Sequence, residues 1–387
     1  MSIGQALSLP PLESVNQIYD ALDQLAPQFE AEARASEIAR RPTQALGELM
    51  RKARIPMSKV PTVVGGCEIS PSEQIDFFAR ISYLNPTAGW IAFNQSGVLG
   101  LLCANLPEEG VEKLFSLNAC PLVSAVSAPT GRSEKVEGGY RVSGKWAYAS
   151  GIACADAVFL STICPDPAGA VGVLIPTDQV ELHDDWNVAA LQGTGSVDVL
   201  VDDVFVPEAF SCSPFVQLRG GPQYTQLGYR IYVGGENFGF TLGVARRMVE
   251  EITRLSLTKK RVLDPTPVSD RGAFQQELGR TDSALRAARA YLKDELDRAF
   301  DLVQKNKGPL SPHALARAEA AVSWATETSI QACTRLFPYA GAGALNLSSP
   351  IQRSYRDLIG SGQHLVATNE TLDTWGKSLL EQAQNPQ

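Results

Sequence analysis

Reactive side chains are sparse in this sequence. It contains three histidines and seven cysteines in 387 residues, and no two cysteines stand at the spacing of a metal site. We therefore expect neither structural zinc nor a histidine-based metal centre. The histidine with the most distinctive setting is His364, which follows Arg356-Asp357 in the stretch RDLIGSGQH. Because the pKa of an ordinary histidine is roughly 6.5, this side chain can accept or donate a proton at neutral pH.

A second stretch, residues 124–156, combines turn and strand signals within one short segment. It contains a Pro-Thr-Gly turn at 129–131, a Gly-Gly hairpin signal at 138–139 and a strand end that reads KWAYASG over 145–151. Such a segment is typical of a β-domain edge that presents backbone groups to a flat ligand.

The elements that position these residues fall into three regions. Helical spacing dominates up to about residue 118, with an N-terminal helix signal at Ser70-Pro71-Ser72-Glu73. Alternating apolar residues then indicate strands, and helical spacing returns near residue 224. We predict an α+β multidomain fold: an N-terminal helical domain (1–118), a central β-barrel or sandwich domain (119–222) and a C-terminal four-helix bundle (223–387). The four bundle helices are expected over 240–257, 274–303, 311–336 and 349–384.

Composition excludes several classes of function. A formal net charge of −8 argues against nucleic acid as the main partner, because phosphate binding needs clustered Lys and Arg. The densest basic run, residues 259–261, is read as a solvated helix end or, alternatively, as a site for a nucleotide phosphate. No window of 18 apolar residues and no signal peptide is recognised, so no membrane partner is expected. An odd number of cysteines favours a reducing compartment, and we expect a cytoplasmic protein.

Several motifs, in this order, resemble those of the acyl-CoA dehydrogenase superfamily over nearly the whole chain. They are Pro129-Thr130-Gly131, Gly144-Lys145-Trp146 with Tyr148-Ala149-Ser150-Gly151, Trp186 before Gly193-Thr194-Gly195-Ser196, Asp203-Val204-Phe205-Val206-Pro207, Leu242-Gly243-Val244-Ala245-Arg246, and Arg353-Ser354-Tyr355-Arg356-Asp357. In dehydrogenases of this family the catalytic base is a glutamate, which most often lies about eight residues after the Arg-Asp pair. Here that count reaches His364 or Leu365. The next carboxylate, Glu370, is expected about a turn and a half further along the last helix, pointing elsewhere.

The pattern of the Arg-Asp pair followed by Gln363-His364 instead resembles that of the flavin-dependent monooxygenases of the same superfamily. The resemblance implies the oxygenase component of a two-component system, with reduced flavin (FMN or FAD) and O2 as cofactors and a separate NAD(P)H flavin reductase as partner. It implies hydroxylation of a small aromatic or heteroaromatic substrate, of phenol or indole type, through a flavin C4a-hydroperoxide. It also implies a homotetramer or homodimer.

The resemblance assigns roles to individual residues. His364 and Ser150 are the catalytic candidates, with His364 as a base or a hydroperoxide stabiliser. The cofactor-binding candidates are Ser127, Thr130, Gly131, Tyr148, Ala149, Ser150, Gly341 and Gly343. The substrate-binding candidates are Trp90, Asn94 and Cys154. Many members of this branch carry three further histidines in the pocket. The corresponding places here are Val98 or Asn94 for the first, Ile359 for the second and Cys154 for the third. The lack of these histidines favours an indole or another substrate that needs little base assistance.

Other interpretations stay open at this point. The protein could be an acyl-CoA dehydrogenase with FAD and a catalytic base placed elsewhere, or a flavin-free scaffold on the same fold. His364 could be an ordinary helix residue, Trp90 a core residue, and Cys154 a small buried apolar side chain. The loop with Gly341 and Gly343 could simply cap a helix.

Overall fold

The computed structural model describes residues 9–213, 216–261 and 264–384. Residues 1–8 of the predicted N-terminal domain, residues 214–215 at the end of the predicted strand region, and residues 262–263 and 385–387 of the predicted bundle domain lie outside these ranges. The described residues form two compact units. The first unit comprises 1–69, 90–188 and 192–225, and the second comprises 70–89, 189–191 and 226–387. The three predicted domain boundaries stay a prediction.

The first unit contains a seven-stranded sheet and the N-terminal helices. Its helices are α1 (Asn16–Ala39), α2 (Gln44–Lys52), most of α4 (Pro86–Asn105) and α5 (Glu108–Leu117). Its strands are β1 (Val123–Val136), β2 (Gly139–Ala149), β3 (Ala157–Pro165), β4 (Ala168–Pro176), β5 (Glu181–His183), β6 (Val197–Pro207) and β7 (Ser211–Cys212), in the spatial order β5-β6-β2-β1-β3-β4-β7.

The hairpin predicted at Gly138-Gly139 joins β1 and β2, which pair antiparallel from Arg132↔Ser143 to Val136↔Gly139. Gly138 has φ +78°, a conformation that glycine adopts without strain. The apolar side chains that alternate along the strands form one core cluster around the fully buried Trp146. Its indole Nε1 donates to the carbonyl oxygen of Ser161 at 2.8 Å, which satisfies the only polar atom of this side chain. Trp146, close to the predicted strand end, therefore helps to hold strands β1, β2 and β3 together.

The second unit is helical. It contains α3 (Glu73–Leu84), α6 (Tyr229–Tyr232), α7 (Gly234–Ser256), α8 (Gly272–Asn306), α9 (Pro312–Leu336), α10 (Pro350–Ser361) and α11 (Glu370–Gln384), with a small hairpin of β8 (Lys260–Arg261) and β9 (Asp264–Pro267). The signal at Ser70 forms a reciprocal capping box: the Ser70 N–H donates to Glu73 Oε2 at 2.8 Å and the Glu73 N–H donates to Ser70 Oγ at 3.4 Å. Helices α7, α8 and α9 pack together, and both α10 and α11 pack on α9.

The predicted fold class is confirmed, with one correction in the bundle. A single last helix was expected over 349–384, but the structure has two helices, α10 and α11, separated by residues 362–369. A side chain from another helix donates hydrogen bonds to the carbonyl groups of this segment. Ser323 Oγ on α9 donates to the carbonyl oxygens of Val366 and Thr368 at 3.2 and 3.1 Å. Tertiary hydrogen bonds thus replace the helical ones, which a helical spacing of apolar residues cannot reveal.

None of the described helices is both long enough and apolar enough to cross a membrane.

Candidate active site

The end of strand β2 has an unusual backbone at Tyr148. This residue has φ +69°, in the left-handed region that side chains larger than glycine rarely adopt, and Gly151 follows with φ +76°. The Tyr148 side chain is 71% exposed, and its ring meets that of Trp186 edge to face at 6.3 Å. A strained, exposed aromatic residue at a strand end is typical of a ligand-contacting position.

Ser150 lies at the centre of a buried set of hydroxyl groups. Its Oγ accepts a hydrogen bond of 3.2 Å from the indole Nε1 of Trp90 on α4. On its other side, Ser150 Oγ lies 2.7 Å from Ser196 Oγ, which in turn lies 2.7 Å from Thr194 Oγ1. We call Ser150, Ser196 and Thr194 the hydroxyl chain. All three residues are buried.

The backbone brings the two ends of the hydroxyl chain together. The Gly151 N–H donates to the Thr194 carbonyl oxygen at 2.9 Å, and the Ser124 hydroxyl donates to the Ser150 carbonyl oxygen at 2.9 Å. Gly195, with φ +52°, turns the chain between Thr194 and Ser196. The GTGS motif of the sequence therefore has a specific geometric role beside Ser150, although Thr194 and Ser196 were not predicted as site residues.

Strand β1 leaves its ladder beside this strand end. Its parallel pairing with β3 shifts between Val126↔Leu160 and Gly131↔Thr162, so that four residues of β1 stand opposite one residue of β3. These four residues, 127–130, are all exposed. They include the cofactor candidates Ser127 and Thr130, and the Thr130 hydroxyl donates to the Lys145 carbonyl oxygen at 2.8 Å. A bulge of this kind presents backbone groups to a ligand.

Two other cofactor candidates, Gly131 and Ala149, are buried. A Cβ atom at Gly131 would lie 1.9 Å from Cζ2 of Trp146, so this glycine is required by the packing of the indole ring against the backbone. Ala149 is fully buried in the same core cluster. Among the candidates of this stretch, the exposed surface therefore comes from Ser127, Thr130 and Tyr148.

The three substrate candidates lie in the same unit as Ser150, with α4 supplying two of them. The Trp90 ring packs edge to face on Phe93 with centroids 4.8 Å apart. The Asn94 side-chain amide donates to the Trp90 carbonyl oxygen at 2.9 Å. Cys154 is 4% exposed, its Sγ donates to the Gly151 carbonyl oxygen at 3.3 Å, and burial raises the pKa of its thiol to about 11. A neutral thiol and an amide are poor bases, so neither Cys154 nor Asn94 is suited to deprotonate a ligand.

His364 belongs to the second unit, in the segment between α10 and α11. The backbone N–H of His364 donates to the Ser361 carbonyl oxygen at 3.4 Å, and the His364 carbonyl oxygen accepts from the Ala367 backbone N–H at 2.9 Å. The residue is partly exposed, but burial of the imidazole ring lowers its pKa to about 4. At neutral pH the ring is therefore uncharged, and it can accept a proton or a hydrogen bond.

Arg356 and Asp357 have a structural role that explains their place in the motif. The Arg356 guanidinium donates to the Ala189 carbonyl oxygen at 2.6 Å, and Asp357 Oδ1 accepts from the Leu191 N–H at 2.6 Å. Leu191 has φ +56°, so the carboxylate fixes a backbone conformation that is otherwise unfavourable. The Arg-Asp pair thus anchors residues 189–191 on helix α10.

Gly341 and Gly343 lie in the segment between α9 and α10. Gly341 has φ +65°, and a Cβ atom there would lie 2.8 Å from Nζ of Lys259. Gly343 is exposed, and a Cβ atom there would meet no atom of the described chain within 4 Å. Gly341 is therefore favoured by its backbone conformation, because the flexible end of the Lys259 side chain can move away, whereas Gly343 is not required by packing.

Carboxylates of the second unit stand in two different environments. Glu370 begins α11, is exposed, and its Oε2 lies 3.6 Å from the Arg230 guanidinium. The expected helical offset between His364 and Glu370 is wrong, because residues 362–369 are not helical. Glu236, which the sequence analysis did not single out, is fully buried in the first turn of α7, where the helix dipole favours a negative charge.

Comparisons with known proteins test the resemblance that the motifs indicate. The family model of the acyl-CoA dehydrogenase C-terminal domain matches residues 238–369. The pigment production hydroxylase of Rhodococcus sp. (strain ATCC 21145) is 26% identical over 382 residues, which cover 94% of this chain and 96% of the relative. The indole-3-acetate monooxygenase of Pseudomonas putida is 29% identical over 256 residues, which cover 63% of each chain. The similarity of this chain to these relatives confirms the predicted resemblance to the acyl-CoA dehydrogenase superfamily and to its flavin-dependent monooxygenases.

A solved structure confirms the superfamily fold. XiaF from Streptomyces sp., in complex with FADH2 and glycerol, superposes with a TM-score of 0.83 at 22% sequence identity and covers 95% of each chain. The strand end of β2 and the helical second unit are therefore parts of a known architecture.

Proposed function

We propose that this protein is the oxygenase component of a two-component flavin-dependent monooxygenase. It would take reduced flavin from a separate NAD(P)H flavin reductase and use O2 to hydroxylate a small aromatic or heteroaromatic molecule. The names of its relatives support this proposal, since they include a hydroxylase and a monooxygenase that match at similar identity. The FADH2 bound to XiaF supports reduced flavin as the cofactor.

The observation that carries the proposal is His364 with its lowered pKa. The carboxylate that abstracts a proton in dehydrogenases of this fold most often follows the Arg-Asp pair, but this chain has a neutral imidazole there. The next carboxylate, Glu370, is exposed and lies beside the Arg230 guanidinium. A neutral histidine can accept a hydrogen bond from a hydroxyl or indole N–H group of the substrate, and His364 would have this role.

The residues at the β2 strand end fit a flavin. The exposed bulge of residues 127–130 and the exposed ring of Tyr148 supply backbone groups and an aromatic edge for a flat ring, and the buried Ser150 hydroxyl lies beside them in the chain. Ser127, Thr130, Gly131, Tyr148, Ala149 and Ser150 would form the cradle. When bound, reduced flavin supplies the electrons that activate oxygen. Gly341 and Gly343 would let the nucleotide part of the cofactor, bound in a neighbouring subunit, approach the chain.

The substrate would be of indole type before phenol type. Trp90, Asn94 and Cys154 would line its pocket. The Asn94 amide is already bonded to the Trp90 carbonyl oxygen, and the Cys154 thiol is neutral at pH 7. This leaves His364 as the remaining candidate base, and its lowered pKa makes it a weak one, which favours a substrate that is electron-rich without prior deprotonation. Indole-3-acetate in the name of one relative agrees with this choice.

The experiment that tests the function has two steps. First, FMN and FAD in both redox forms are titrated into the protein without oxygen, and tighter binding of a reduced form is expected. Second, reduced flavin, ¹⁸O2 and a panel of indoles and phenols are added, and the product should gain one ¹⁸O atom. The H364Q variant should still bind flavin but lose most hydroxylation, whereas H183Q, at an exposed strand position, should retain it.

Two other results would identify a different protein. Bleaching of tightly bound FAD by acyl-CoA would identify an acyl-CoA dehydrogenase with its base elsewhere. A protein that binds none of the flavins would be a scaffold on this fold, and the monooxygenase proposal would be abandoned.

The assembly and location belong to the same proposal. Exposed leucines on α11, Leu379 and Leu380, and in the 341–349 segment, Leu345 and Leu347, support burial by other subunits in a homotetramer or homodimer. Light scattering after size-exclusion chromatography would measure the mass. All seven cysteines are free, which supports a reducing compartment, and we expect the cytoplasm.

A further inference from the structure

Ser150 has one hydrogen-bonding direction that is fixed by its neighbour. The indole Nε1–H of Trp90 can only donate, so one lone pair of Ser150 Oγ is always occupied by it. Ser150 retains one proton and one lone pair. Ser196 Oγ, 2.7 Å away, can take either the donor or the acceptor role toward Ser150, and Thr194 Oγ1 can do the same toward Ser196.

The hydroxyl chain therefore has two complete arrangements. In the outward arrangement, Thr194 donates to Ser196, Ser196 donates to Ser150, and the Ser150 proton points to a ligand. In the inward arrangement, Ser150 donates to Ser196 and Ser196 donates to Thr194, so that Ser150 can accept a hydrogen bond from a ligand. Ser150, Ser196 and Thr194 are 6%, 3% and 0% exposed, so water does not readily replace a missing partner.

These two arrangements match a chemical difference between the redox forms of flavin. The central ring nitrogen of oxidised flavin accepts a hydrogen bond, and in reduced flavin the same nitrogen carries a hydrogen and donates one. We propose that Ser196 and Thr194 are positioning residues that let Ser150 accept this hydrogen, so that the hydroxyl chain favours binding of the reduced flavin. The inference rests on the proposed flavin site at the β2 strand end.

The sign of the effect follows from the count of partners. With reduced flavin, Ser150 accepts from Trp90 and from the ligand, and its own proton must go to Ser196. Without the Ser196 hydroxyl this proton is buried and unsatisfied, which is costly. With oxidised flavin, Ser150 donates to the ligand, and loss of Ser196 leaves Ser150 itself with only a spare lone pair. A buried oxygen with one unused lone pair costs less free energy than a buried O–H group that has no acceptor.

The test compares the ratio of the dissociation constants of reduced and oxidised flavin in the full-length protein, by anaerobic titration with FMN and with FAD. S196A should raise this ratio about five- to tenfold. For a two-electron couple this lowers the midpoint potential of bound flavin by about 20–30 mV. S196T keeps a hydroxyl and should restore the ratio, and T194V should raise it in the same direction, because Ser196 then lacks its acceptor.

A pair of buried hydroxyls within the neighbouring sheet, on β1 and β3, provides the matched control. Thr162 Oγ1 donates to Ser133 Oγ at 2.7 Å, and both residues are buried. S133A thus removes a buried hydroxyl from that sheet without touching the hydroxyl chain. It should leave the ratio unchanged.

The outcomes separate this inference from the proposed function. If the wild-type protein binds neither redox form, the flavin proposal and this inference both fail. If wild type binds reduced flavin more tightly and both S196A and T194V keep the same ratio, only this inference is overturned. Equal weakening of both redox forms would show that the hydroxyls merely support the fold, and would also overturn it. Should S196A not fold, T194V alone decides between the outcomes.

Discussion

The Arg230 guanidinium donates a hydrogen bond of 2.8 Å to the carbonyl oxygen of Leu365, the residue after His364. The same Nη1 atom donates to Thr368 Oγ1 at 3.0 Å. Arg230 lies on α6, so a side chain distant in sequence holds the segment that presents the candidate catalytic histidine. This segment has no regular helix of its own to keep it in place.

Replacement of Arg230 by methionine should loosen this segment. Two charge-assisted hydrogen bonds are lost, and we expect local opening to become easier by about 2 kcal/mol, or roughly 30-fold. Hydrogen exchange of the Ala367 N–H, which is bonded to the His364 carbonyl oxygen, reports this directly. R254M removes an arginine of an exposed pair with Glu250 and serves as the control. Unchanged protection of Ala367 in R230M would refute the role of Arg230.

His364 should make the stability of the protein depend on pH in a defined window. Its pKa is about 4 in the folded protein, below the value of 6.5 that it has without burial. Above pH 6.5 the ring is neutral in both states. Between pH 6.5 and 4 only the unfolded chain takes up the proton, so the free energy of unfolding falls as the pH falls, and below pH 4 the effect levels off.

The size of this pH effect can be measured by substitution. The full shift corresponds to about 3 kcal/mol, and partial exposure of the residue reduces this to about 2 kcal/mol. Urea unfolding between pH 4 and pH 8 should show that H364Q loses this part of the slope, while H183Q keeps it. If H364Q and the wild-type protein have the same slope, the imidazole is not desolvated.

Local signals in the sequence predicted local structure well. The capping box at Ser70, the break at Asn85-Pro86 and the Gly-Gly hairpin depend on residues within a few positions of each other, and all three are present. The last helix was predicted wrongly because its interruption depends on Arg230 and Ser323, which are more than 40 residues away in sequence. Periodicity carries no information about such partners.

The candidate site likewise combines local features that the sequence predicted with long-range contacts that it did not. Ser150 and Tyr148 were predicted because the strand-end motif is contiguous. The bond from Trp90 to Ser150 spans 60 positions and that between Ser150 and Ser196 spans 46. The GTGS motif was noted, but only the folded chain shows which of its hydroxyls meets Ser150. Pairings across such distances are fixed by the sheet and by the left-handed glycines.

Gly131 should be required for stability rather than for ligand binding alone. A Cβ atom there would lie 1.9 Å from the buried Trp146 ring, and we expect G131A to lower the free energy of unfolding by about 2–3 kcal/mol. G169A, on the exposed end of β4 with no atom within 4 Å of the new Cβ, is the control. Urea denaturation at pH 7 measures both. W146F in the G131A background should recover part of the loss, because the smaller ring makes room, and a strictly additive double variant would contradict the packing explanation.

Cys154 should behave as a small apolar side chain despite its place beside the proposed pocket. Burial raises the pKa of its thiol to about 11, so at pH 8 only about one molecule in a thousand carries the reactive thiolate. We expect iodoacetamide to alkylate Cys154 at least 100-fold more slowly in the native protein than in urea, whereas the half-buried Cys67 reacts first. Peptide mapping by mass spectrometry after timed quenching distinguishes the two sites. C154A should leave flavin binding unchanged, because the thiol bonds only to the Gly151 carbonyl oxygen and, weakly, to Gln95. Rapid native labelling of Cys154 would instead place a reactive thiolate next to Ser150 and would require its role in the pocket to be revised.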